Sequence, residues 1–119
     1  MELTILGYMG GYPTKDVGTT SYLLTSGEYR LLIDAGSNAL LTLEHHLDPL
    51  DLDAVILTHY HADHIADLGV LQYTFQLKEA AEGKKKRFCP SMAMRNRISS
   101  SCWICRMSAK GSPIKAKRR

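Results

Sequence analysis

At 119 residues the chain is long enough for one small domain, and no apolar run in it approaches the roughly 20 residues of a membrane span. Its N-terminus has no basic stretch followed by an apolar core, which argues against secretion or insertion, and residues 1–83 hold no cysteine, which fits a reducing cytoplasm. The formal charge of +3 conceals a division. Residues 1–83 carry three basic side chains (Lys15, Arg30, Lys78) and all twelve acidic ones, a charge of −9, whereas residues 84–119 carry twelve Lys and Arg and no acid.

Glu2 to Leu6 reads as a first strand. Gly7, Gly10, Gly11, Pro13 and Gly18 then predict a turn-rich loop; its spacing lacks the G-x-G-x-x-G pattern and the Lys-Ser/Thr of a phosphate-binding loop, which sets nucleotide binding aside. Ser21 to Thr25 and Tyr29 to Ile33 flank Ser26-Gly-Glu28, a tight hairpin, and these strands are expected in one sheet. Ser37 or Asn38 can cap a helix through Leu40, Leu41, Leu43, Glu44 and Leu47 that stops before Pro49. Adjacent on that helix, His45 and His46 face about a hundred degrees apart and read as a solvated face. Asp53 to Thr58 is a short β-branched, apolar run, the pattern of a buried strand. Within Ile65 to Ala81, Leu68, Leu71 and Phe75 recur near helical spacing. The order is strands, helix, strand, loop, helix, which suits a sheet with helices packed on one side.

Between the last strand and the last helix stands His59-Tyr-His-Ala-Asp-His64, which places four potential metal ligands in six residues. Imidazole nitrogen and carboxylate oxygen are ligands that zinc takes in hydrolytic sites. Ligands at i, i+2 and i+4 point the same way only where the backbone is extended or turning, so the cluster is expected as a zinc site on a turn at a strand's C-terminal end.

Thr58-His-Tyr-His-Ala-Asp-His64, preceded by Leu31-Leu-Ile-Asp-Ala-Gly36, resembles the signature of the metallo-β-lactamase superfamily. Leu3-Thr-Ile-Leu-Gly-Tyr-Met-Gly-Gly11 followed by Thr19-Thr-Ser-Tyr-Leu-Leu24 is similar to its ribonuclease Z-like branch. The resemblance implies an α+β fold, the N-terminal half of an αββα sandwich, with residues 1–83 forming that half. It implies a zinc-dependent hydrolase cleaving a phosphodiester or ester, on a small-molecule or nucleic-acid substrate, by means of metal-bound hydroxide. Of two Zn²⁺ ions, His59 and His61 would bind one, and Asp63 and His64 the other. Asp63 would also be catalytic, accepting a hydrogen bond from the attacking hydroxide, while Asp34 would organise the metal loop from the end of a strand without being a ligand.

A two-zinc site of this kind needs a further His, a bridging Asp and a last His. All five histidines lie at or before position 64 and residues 84–119 contain neither Asp nor Glu, so the chain is expected to be truncated after the first metal motif and deficient in activity. Half a sandwich also leaves one sheet face without its partner layer, which predicts self-association or aggregation.

Residues 84–119 admit two readings. A basic, disordered segment would bind nucleic acid through its phosphates, making the chain a non-catalytic nucleic-acid-binding protein. The favoured expectation is out-of-frame translation begun by a slip in the codons for Lys84-Lys-Lys-Arg87, because no periodic apolar pattern survives beyond that run and the chain would then be an inactive truncation product. Cys102-Trp-Ile-Cys105 has neither the partner ligands of a zinc site nor the flanking strand and helix of a redox motif, and reads as chance.

Overall fold

The computed structural model describes residues 1–83, and the expectations for residues 84–119 lie outside the described residues. Five strands form one mixed sheet in the order β2-β1-β3-β4-β5. They are β1 Glu2–Met9, β2 Gly18–Thr19, β3 Ser21–Ser26, β4 Tyr29–Ile33 and β5 Ala54–Ile56. β1, β3 and β4 are antiparallel neighbours, and β2 and β5 add to the two sides in parallel. Three helices accompany the sheet: α1 Ala39–Glu44, α2 Ala62–Ile65 and α3 Leu68–Glu82, with a 3₁₀ turn at Pro49–Asp51. This is the α+β arrangement that the order of apolar runs implies.

The hairpin forms as expected, with Ser26 paired to Tyr29 so that Gly27 and Glu28 make the turn. Alternation along the strands separates two faces. Leu23, Leu32 and Val55 form a row across β3, β4 and β5, and they share a core with Leu43 of α1 and Leu71 and Phe75 of α3. Each such side chain contributes about 1.5–3 kcal/mol on burial, so this row is what holds the helices to the sheet. Two further rows, Leu3-Leu24-Leu31-Ala54 and Ile5-Tyr22-Ile33-Ile56, occupy the opposite face. Leu3 and Ile5 are 57% and 58% exposed there, and the rest of both rows is half-buried.

Three local expectations are corrected. β1 runs on through Gly7 to Met9, and Gly18 lies in β2, so the glycine-rich stretch is not all loop. The reason is steric: Gly7 pairs with both Gly18 and Ser21, and a β-carbon there would overlap the Thr19 carbonyl. α1 ends at Glu44, short of Leu47, because the N–H groups of both His46 and Leu47 bond the Leu43 carbonyl and tighten the chain. Asp48 then accepts the Leu50 N–H at 2.9 Å with Pro49 leading the 3₁₀ turn, leaving His45 and His46 exposed past the end of α1. Finally, neither Ser37 nor Asn38 caps α1 through its side chain. Asn38 adopts a left-handed φ of 70° with no capping bond, and the Asp67 carboxylate accepts the Leu40 N–H in its place.

Candidate metal centre

Two segments that end adjacent parallel strands build the centre: Asp34 to Gly36 after β4, and Thr58 to Asp67 after β5. Asp34 takes a left-handed φ of 58°, which aspartate tolerates better than most residues, and its N–H bonds the Ile56 carbonyl at 2.8 Å. The Ser21 hydroxyl donates to the Asp34 carbonyl at 3.1 Å. The Asp34 side chain is thereby turned into the interior, where the residue is 1% exposed. Its Oδ1 accepts the Thr58 N–H at 2.8 Å, while Oδ2 accepts the Thr58 hydroxyl at 2.7 Å and lies 2.8 Å from His64 Nδ1. Three partners around one buried carboxylate offset the cost of removing it from water.

The neighbouring loop is stitched to the motif through its backbone. Ala35 N–H donates to the His64 carbonyl at 2.8 Å, and Asp67 N–H donates to the Ala35 carbonyl at 2.9 Å. Gly36 makes this approach possible, since a β-carbon there would overlap the Asp63 carbonyl and the Thr19 hydroxyl.

His59 and His61 lie on irregular backbone after β5, whereas Asp63 and His64 lie on α2. The expectation of one turn for the whole motif is therefore corrected. The His64 N–H bonds the His61 carbonyl at 2.9 Å, winding the second half of the motif into a short helix that turns His64 back toward Asp34. The His59 ring packs edge-on to His61, with centroids 4.8 Å apart, and at a tilt against His64, with centroids 3.9 Å apart. His64 Nε2 lies 3.5 Å from Asp63 Oδ2. Gly11 N–H, from the loop after β1, donates to that same Oδ2 at 3.0 Å. This bond holds the Asp63 carboxyl below the usual carboxylate range against the opposing pull of partial burial, and the His64 and His61 rings add to the lowering.

Among the described residues, no group of three or more His, Cys, Asp or Glu side chains is arranged to hold a metal ion. The donors are nevertheless of the right kind for zinc. His64 gives Nδ1 to Asp34, so its other nitrogen, on the side of Asp63, is the one left to act as a ligand. Sequence reasoning assigns no chemical role to three residues of the centre: Gly11 reads as loop and as the end of the first matching segment, Asp67 as part of a helical run, and Thr58 as the end of a strand and the first residue of the signature. Thr58 alone has a local signal, its adjacency to His59; the contacts of Gly11 and Asp67 span 52 and 27 residues.

Residues 14–91 match the profile described as the Metallo-beta-lactamase superfamily. The chain is 47% identical over 77 residues to the probable metallo-hydrolase YhfI of Bacillus subtilis, a match covering 65% of this chain and 32% of that protein. It is 33% identical over 75 residues to ribonuclease Z of Clostridium acetobutylicum, covering 62% of this chain and 24% of the relative. The crystal structure of YhfI superposes with a TM-score of 0.66 and 46% identity, over 70% of this chain and 33% of the other. Human tRNase Z, short form, superposes with a TM-score of 0.62 and 28% identity, over 66% of this chain and 30% of the other. The chain thus spans about a third or less of the length of these relatives.

Proposed function

The chain belongs to the metallo-beta-lactamase superfamily, in its ribonuclease Z-like branch, and on that premise we propose that it carries the first half of a zinc-dependent hydrolase site directed at phosphodiesters. His59 and His61 would hold one zinc, and Asp63 and His64 the other. Zinc in such a site acts as a Lewis acid and brings the acidity of water toward neutrality. The chain's own contribution is to orient the donors: Asp34 fixes the His64 ring, Gly11 fixes the Asp63 carboxylate, and the loop after β4 braces α2. The observation that carries this reading is the meeting of His64 Nε2 and Asp63 Oδ2 at 3.5 Å, with the opposite side of the His64 ring held by Asp34 and the Asp63 carboxylate held by Gly11.

A phosphodiester is favoured over other esters by the likeness to proteins named as a ribonuclease Z and a tRNase Z, and the acidic charge of residues 1–83 leaves cations, or the basic residues 84–119, to meet a polyanion. Hydrolysis requires more ligands than His59, His61, Asp63 and His64, and no histidine follows His64 in the chain. The test combines zinc titration by calorimetry with a phosphodiester reporter. Zinc uptake that drops on His61→Ala, with turnover weak or absent, is the expected result; a chain indifferent to zinc overturns the reading.

A further inference from the structure

The Thr58 hydroxyl stands between Asp34 and His59 and has one proton to give. Its Oγ1 is 2.7 Å from Asp34 Oδ2, and an ionised carboxylate only accepts, so the proton goes there. Oγ1 is also 3.0 Å from His59 Nδ1. With its proton committed to Asp34, the hydroxyl can only accept from that nitrogen, which must then carry a hydrogen. The same Asp34 Oδ2 accepts from His64 Nδ1 at 2.8 Å. One buried carboxylate therefore dictates the hydrogen on two rings, directly for His64 and through Thr58 for His59.

We propose that Thr58 is a positioning residue that relays the acceptor character of Asp34 to His59, so that the neutral rings of His59 and His64 both keep their hydrogen on Nδ1 and leave Nε2 unprotonated, on the side of Asp63 in the case of His64. This deepens the zinc reading and rests on it for its purpose, though the protonation pattern itself exists without metal. The arrangement is specific about chemistry. Neutral histidine in water prefers its hydrogen on Nε2, the opposite of the Nδ1–H pattern, so the protein must hold both rings in the less favoured form. Asp34 can do so because it is locked. Its Oδ1 accepts the Thr58 N–H, its backbone N–H and carbonyl are bonded to Ile56 and Ser21, and burial keeps water from competing for it. Thr58 itself is exposed, so its side chain can be altered without opening the core.

The experiment is a long-range ¹H–¹⁵N correlation on the full chain with labelled histidine, in the absence of metal, at a pH where imidazole is neutral. Wild type should show His59 and His64 with hydrogen on Nδ1 and an unprotonated Nε2. Thr58→Val, which keeps the shape and removes the acceptor, should return His59 toward the Nε2–H form and leave His64 unchanged. Thr58→Ser should retain the wild-type pattern. Titrated with zinc alone, Thr58→Val should bind roughly 10–100-fold more weakly, and Thr58→Ser should restore most of that loss. His59 found with hydrogen on Nε2 in the wild type, or unmoved by Thr58→Val, overturns the relay whatever zinc does. The expected ring forms in a chain that takes up no zinc uphold the relay and overturn the zinc reading instead.

Discussion

The Asp67 carboxylate accepts the backbone N–H of Leu40 at 3.0 Å, so a residue three places past the motif caps α1, the helix that follows the loop after β4. The same residue donates its own N–H to Ala35 and offers its carbonyl to Leu71 in the first turn of α3. Removing this cap should act as the loss of any helix N-cap does. Asp67→Ala is expected to cost about 1 kcal/mol of stability, and Asp67→Asn much less, measured by urea unfolding with the two variants side by side. Equal losses in both would show that the carboxylate is not acting as a cap.

Gly36 should tolerate nothing larger. Its missing side chain is the space occupied by the Asp63 carbonyl and the Thr19 hydroxyl, so Gly36→Ala forces backbone apart and is expected to cost about 1–3 kcal/mol. Gly10 supplies the comparison, because a β-carbon there meets nothing within 4 Å. Gly10→Ala should stay within about 0.5 kcal/mol of the parent in the same unfolding assay.

Acid should loosen the loop after β1. The Asp63 carboxyl is lowered in the folded chain, chiefly by the Gly11 N–H, so its stabilising contribution is complete above the ordinary carboxyl range and disappears as pH falls through the lowered folded value. The Gly11 amide resonance is expected to move in that acid window and nowhere near neutrality. Asp63→Asn should abolish the movement, and an amide indifferent to acid in the parent would contradict the assignment.

The apolar rows on the far face of the sheet should drive self-association. Leu3 and Ile5 are more than half exposed beside Leu24, Leu31, Tyr22 and Ile33. Sedimentation velocity on the full chain should show species larger than the monomer, and Ile5→Lys should shift the distribution toward monomer by placing a charge on the exposed end of that face. A monomeric parent with a cooperative melting transition would refute this.

The sheet and the motif are legible in the sequence because local pattern decides them. Short apolar runs at Tyr22 to Leu24 and Leu31 to Ile33, a short glycine turn between them and a β-branched run before His59 specify strands whatever lies elsewhere in the chain. The capping of α1 escapes such a reading for the opposite reason. Ser37 and Asn38 have the right chemistry at the right place, yet a carboxylate 27 residues away displaces them from the role. The path of β1 through Gly7 and the helical winding of Asp63 and His64 likewise depend on contacts made only after folding: Gly7 against β2, and His64 against Asp34. Residue type alone singles out His59, His61, Asp63 and His64. The partners that fix their orientation come from Gly11, Asp34 and Thr58, two of which are remote in sequence.

A peptide copied from residues 58–67 would carry every one of the four candidate ligands and none of their order. Asp34 reaches Thr58 across 24 residues and His64 across 30, and Gly11 reaches Asp63 across 52, so the centre closes only after the strands have found their neighbours. Its assembly is therefore expected in the late, cooperative part of folding. The amides of Thr58 and Ala35 should consequently exchange with solvent no faster than those of the β3–β4 hairpin, opening only when the whole sheet does.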